Sequence, residues 1–192
     1  MTKTRLEAFS DGVIAILITI MVLELRIPEG ADWDALQPVW PVFTTYVLSF
    51  VMLGIYWNNH HHLLHTVDRT TGRILWANLH LLFWLSLIPF GTGWTGHSHF
   101  ASLPTAVYGV ILLLAALAYT FLVRSIIAAQ GPGSRLRAAI GNDAKGYLSI
   151  ALYVTAIPTA FVNPWVAYSI YVTVAVIWFV PDRRIERRSV HD

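Results

Sequence analysis

Apolar runs of about twenty residues recur along this chain, and its Lys and Arg residues fall between them. Roughly 20 mostly apolar residues are enough for a helix to cross the hydrocarbon layer of a bilayer. A helix on the surface of a water-soluble domain instead carries polar residues along one whole face. Only 12% of the 192 residues are charged and 56% are hydrophobic, against about 25% charged in soluble domains. Half of the usual solvated surface is therefore missing, and lipid is the solvent that fits. The pattern predicts an all-α membrane protein, one transmembrane domain over residues 1–192, with spans at about 7–26, 39–62, 73–95, 103–129, 143–163 and 164–181. Pro89 and Gly91 interrupt the third span, and a Val162-Asn163-Pro164 turn joins the fifth to the sixth.

Several function classes drop out at this point. There is no cysteine, hence no disulfide, thiolate metal site or Cys nucleophile. No signal-peptide cleavage pattern precedes the first run, so it is expected to be retained. The basic residues sit in short clusters between apolar runs, not along one face, so no nucleic-acid partner is expected. No Ser/His or paired-carboxylate arrangement faces another at catalytic depth, and no enzyme is expected either.

The charges orient the bundle. With six spans, one side receives Lys3, Arg5, Arg69, Arg73, Arg124, Arg135, Arg137, Lys145, Arg183, Arg184, Arg187 and Arg188, and the other keeps only Arg26. Lys and Arg accumulate on the cytoplasmic side of membrane proteins. The expectation is a multi-pass protein of the inner (plasma) membrane with both termini cytoplasmic. Glu24, Glu29, Asp32 and Asp34 form an acidic rim on the opposite face.

That topology places distant residues at one depth. Span 1 opens with Arg5, Phe9, Ser10 and Asp11, and span 2 closes with Trp57, Asn58, Asn59 and His60–His62. Span 3 re-enters at Arg73 with Asn78 and His80 roughly 8–10 Å further in, at 1.5 Å per residue. A carboxylate at a membrane boundary needs a partner, and Asn and His of neighbouring helices are suitable donors. Two readings stay open: a polar network that fixes helix register, or an ion site or proton relay. His61 and His65, at i and i+4, are weak candidates for one Zn²⁺, with Asp68 a weaker third ligand. The zinc-protease motif would need a Glu where His62 stands. A His-rich helix end in the headgroup region is the expectation, with no resident metal.

At 100° per residue, Gly12, Ile16, Thr19 and Leu23 fall within about 60° of one another, flanked by Ile20. Asp11 lies about 140° from Ile16 on the same wheel. The Asp side therefore looks into its own bundle while the Gly/Ile/Thr/Leu stripe looks elsewhere. From the pattern alone, that stripe is a close helix–helix contact or the lining of a path.

Arg5 with Phe9-Ser10-Asp11, the apolar helix that follows, and the Trp57-Asn-Asn-His-His-His stretch together resemble the signature of the transmembrane protein 175 family of cation channels. The resemblance extends to the six-span layout of the whole chain. It implies a homotetramer, as in the single-repeat prokaryotic members, around a central pore lined by span 1. By its motif positions Ile16 is the narrow apolar constriction, Thr19 the hydroxyl-bearing selectivity position, and Ile20 and Leu23 further apolar rings. The carbonyl filter Thr-Val-Gly-Tyr-Gly is foreign to that family and does not occur here. The loops and the long His run depart from the family pattern, so no pH sensitivity is carried over.

The expected function is passive, potassium-preferring cation conduction through a four-fold pore with a hydrophobic constriction. No cofactor is expected, only permeant K⁺; the partners are further copies of the chain, the lipid bilayer and monovalent cations. The alternative is a proton- or metal-coupled transporter that uses the Asp11/His layer.

Overall fold

The computed structural model describes residues 2–67, 69–141 and 143–179. Asp68, Arg183, Arg184, Arg187, Arg188 and the end of the sixth expected span lie outside them. The described residues form helices: α1 (Lys3–Met21), continued by a 3₁₀ turn (Val22–Glu24), α2 (Trp40–His65), α3 (Gly72–Ser86), α4 (Ile88–His97), α5 (Ser102–Gln130), α6 (Arg135–Ile140), α7 (Ala144–Thr159) and α8 (Pro164–Phe179).

Local chemistry sets the boundaries. The Thr2 hydroxyl accepts from the Arg5 N–H at 3.4 Å and the Thr71 hydroxyl from the Ile74 N–H at 3.3 Å, so each starts a helix by satisfying a donor that has no intrahelical partner. Asn163 does the same for α8 through Trp165 at 3.0 Å, with Pro164 in the first helical position, where its missing N–H costs nothing. The third expected span is two helices, broken at Leu87 just before Pro89. A proline cannot donate the hydrogen bond that an unbroken helix needs there.

Among the described residues four segments are long and apolar enough to cross a membrane: Lys3–Glu24, Trp40–His65, Gly72–His97 and Ser102–Gln130. At 16 residues each, α7 and α8 extend about 24 Å, short of a hydrocarbon layer of roughly 30 Å. The short α6 has no counterpart in the expected spans.

Helix α5 is the hub of the packing. It touches α3 and α4 on one side and α7 and α8 on the other, while α1 lies against α2, α3 and α4. The helices approach closely at small residues. A Cβ on Gly96 would stand 2.7 Å from the Val42 backbone, and one on Gly91 would stand 2.9 Å from the Tyr108 ring. Beside that contact three buried hydroxyls join α2, α4 and α5. Tyr108 donates to Ser49 at 2.8 Å, Ser49 to Thr92 at 2.6 Å, and Thr92 to the Ile88 carbonyl at 2.7 Å. Such a chain closes with no buried hydroxyl left over, which matters in a medium without water.

Candidate pore helix and its polar anchor

Helix α1 has two faces of different character. Leu6, Ser10, Ile14, Leu17 and Met21, spaced three or four apart, are buried against the rest of the chain. The other face is bare: Gly12 and Thr19 are exposed, and so are Ile16 at 59%, Ile20 at 40% and Leu23 at 78%. The stripe marked out by helical spacing is thus the face that the chain itself leaves uncovered. The Thr19 hydroxyl donates to the Ile16 carbonyl at 2.9 Å, which commits its proton to the helix and leaves the oxygen lone pairs free to face outward.

The buried face carries a hydrogen-bonded chain across three helices. His60 of α2 donates through Nε2 to Asn78 Oδ1 of α3 at 2.7 Å, Asn78 Nδ2 donates to Ser10 Oγ of α1 at 2.9 Å, and Ser10 donates to the Leu6 carbonyl at 2.9 Å. Ser10 and Asn78 have no exposed surface and His60 has 1%. One amide with a donor and an acceptor side is what lets a single residue hold two neighbours. Asp11, one position beyond Ser10, is half-buried and points toward α2, where Oδ1 accepts from Trp57 Nε1 at 3.0 Å.

The other residues expected in this layer are placed differently. His80 is not part of it: the ring is exposed on the far side of α3 and accepts from Trp84 Nε1 at 2.9 Å. Seven positions from Arg73 puts it at the right depth but, two residues from Asn78, on the opposite side of the helix. His61 is exposed and stacks on Trp57 with ring centres 6.2 Å apart, so His60, not His61, enters the buried chain. Asn58 is half-buried beside it, and Arg5 and Phe9 are exposed at the start of α1. Among the described residues no group of three His, Asp or Glu side chains could hold a metal ion.

The two ends of α1 contact different helices. At its start Lys3 Nζ donates to the His65 carbonyl at the end of α2, at 2.7 Å. At its finish Glu24 approaches His97 Nδ1 at 3.9 Å at the end of α4, and the same nitrogen donates to the Gly93 carbonyl at 2.8 Å. Gly93 lacks a Cβ where one would stand 2.9 Å from the Glu24 carboxylate. Sequence spacing gave no hint of this pair, because no periodicity links a 3₁₀ turn to the end of a broken helix.

The family pattern described as the endosomal/lysosomal potassium channel TMEM175 matches residues 5–89, which hold α1, α2, α3 and the break before α4. A potassium channel of Chryseobacterium sp. is 57% identical over 187 residues, 97% of each chain. This chain belongs to the TMEM175 channel family. The family and these relatives are channels, not enzymes. A Streptomyces collinus potassium channel is 36% identical over 126 residues, 60% of each chain. The crystal structure of a lysosomal potassium-selective TMEM175 homologue from Chamaesiphon minutus superposes with a TM-score of 0.78 at 25% identity, covering 94% of this chain and 97% of that one. Membership in this family together with four spanning-length apolar helices makes the chain a multi-pass membrane protein.

Proposed function

We propose that this TMEM175-family chain forms a passive, potassium-preferring cation channel, a homotetramer in which α1 of each copy lines a central pore. The observation that carries the reading is the uncovered face of α1, with Ile16, Thr19, Ile20 and Leu23 exposed on a helix whose opposite face is fully packed. Repeated about a four-fold axis, such a face makes stacked rings. A ring of four Ile16 side chains narrows the path and excludes water, a constriction that gates by dewetting. Four Thr19 oxygens offer lone pairs that replace part of the hydration shell of a dehydrating ion. The Ser10–Asn78–His60 chain and the Asp11–Trp57 bond then hold the helix from behind without touching the ion.

In this reading the subunit crosses the membrane six times, with α3 and α4 as one broken span and α7 and α8 as two short ones, accommodated by local thinning or snorkelling at their ends. The excess of Lys and Arg on the side where α1 starts supports a cytoplasmic location for both termini, in an inner (plasma) membrane. The test is ion flux into liposomes that contain only this protein, with K⁺, Na⁺ and H⁺ gradients applied separately. Downhill K⁺ flux exceeding Na⁺ flux, uncoupled to protons, is the expected result. A flux that moves two ions at a fixed ratio would overturn the channel reading in favour of a transporter built on the Asp11/His layer.

A further inference from the structure

The buried His60 is accounted for by Asn78, but two histidines on the same helix are not used by the channel reading. His61 and His65 lie one turn apart on the exposed side of α2, and their rings meet edge to face with centres 4.5 Å apart. A tetrahedral divalent cation bound by two imidazole nitrogens at about 2.0–2.1 Å requires those nitrogens to be roughly 3.3 Å apart. Two rings already in contact reach that geometry by rotation about χ angles, without moving the backbone. His61 is also held on its other side by Trp57, stacked at 6.2 Å with the ring planes 28° apart. Trp57 in turn is held by Asp11. Among the described residues neither His61 nor His65 has a side-chain hydrogen bond that would have to be broken, whereas His60, His80 and His97 each have one. The Lys3 ammonium at the same helix end is occupied by the His65 carbonyl at 2.7 Å and the Glu7 carboxylate at 3.9 Å.

We propose that His61 and His65 form a two-imidazole site for a borderline first-row divalent cation such as Zn²⁺, Ni²⁺ or Cu²⁺, with water completing its shell. Imidazole pairs suit these ions and not Mg²⁺ or Ca²⁺, which prefer oxygen. The site stands independently of ion conduction, and it adjoins the helix that the channel reading places at the pore. A cation there clamps the last turn of α2 and, through Trp57 and Asp11, stiffens the start of α1.

The experiment is Zn²⁺ titration by calorimetry of the full chain in detergent, with any affinity tag removed. One Zn²⁺ per chain is expected, with Mg²⁺ producing no heat. His61→Ala and His65→Ala are each expected to weaken Zn²⁺ binding by on the order of 100-fold, since a chelate loses its second, intramolecular contact. His80→Ala, a control on the exposed side of α3, leaves it unchanged. Cu²⁺ provides a check on the unmutated chain: bound at His61 it quenches the fluorescence of the stacked Trp57, and the quench disappears in Trp57→Phe. Failure of the unmutated chain to bind Zn²⁺, unchanged affinity in both His61→Ala and His65→Ala, or a Cu²⁺ quench that persists in Trp57→Phe overturns the site.

Discussion

Ser10 and Asp11 are adjacent in sequence yet serve different neighbours, and their substitutions should fail differently. Ser10 is enclosed by the chain through Asn78 and His60, so Asn78→Ala leaves the buried His60 imidazole without its Asn78 partner, while the Ser10 hydroxyl loses a donor but keeps its own bond to the Leu6 carbonyl. The expected cost is about 1–3 kcal/mol, read as a drop in thermal stability in detergent, with Ser10→Ala smaller because it leaves one Asn78 amide hydrogen without its acceptor but keeps the His60–Asn78 bond. Asp11 is half-buried and accepts a hydrogen bond from Trp57. Asp11→Asn keeps an oxygen in place to accept that bond and should assemble normally, whereas Asp11→Leu should behave like Trp57→Phe. If Asp11→Asn disrupts assembly while Trp57→Phe does not, the charge and not the hydrogen bond is what matters. Ile16 belongs to the other face. Its replacement by alanine should leave stability nearly unchanged, since the side chain is 59% exposed in the single chain, but should raise K⁺ flux in liposomes if it forms the constriction. Unchanged flux would remove Ile16 from the gate.

At the scale of elements, the contacts that matter are the ones where backbone meets backbone. Gly96 faces the Val42 Cα so closely that any side chain must push α4 away from α2, while Gly12 and Gly54 have nothing within 4 Å of a Cβ position. Gly96→Ala is therefore expected to destabilise by about 1–3 kcal/mol and Gly54→Ala to be neutral or slightly stabilising, a contrast measurable in one thermal series. The faces of α1 were legible in the sequence because helical periodicity decides which residues share a side, and Asp11 and Ile16 stand far apart on the wheel. The layer near the start of α1 was legible by depth: Ser10 and Asn78 do meet. What depth alone could not supply was azimuth, and that is why His80 was expected in the layer and lies outside it while His60 sits inside. The break before Pro89 follows from proline chemistry. The Ser49–Thr92–Tyr108 chain and the Glu24–His97 approach depend on how four helices turn about their axes, which no local pattern encodes.

At the scale of the whole molecule, a single copy leaves one face of its first helix bare, and a bilayer alone does not explain why Gly12 and Thr19 stand on it. Lipid gains nothing from a hydroxyl or a missing side chain, whereas a symmetric assembly around an aqueous axis gains a water-facing oxygen and room for close approach. The absence of cysteine makes this testable without removing native thiols. Thr19→Cys, placed on the exposed face, should react with a small water-soluble thiol reagent, and modification should block K⁺ flux. Four such cysteines around one axis should also form dimers under mild oxidation. Leu17→Cys, two residues away on the buried face, should be protected and its flux unaffected by the reagent. If the chain assembled with α1 toward lipid, the water-soluble reagent would fail to reach Thr19→Cys, and neither block nor crosslink would appear. The Thr19→Cys and Leu17→Cys pair thus separates a pore-lining helix from a lipid-facing one by reactivity alone, before any value for selectivity is measured.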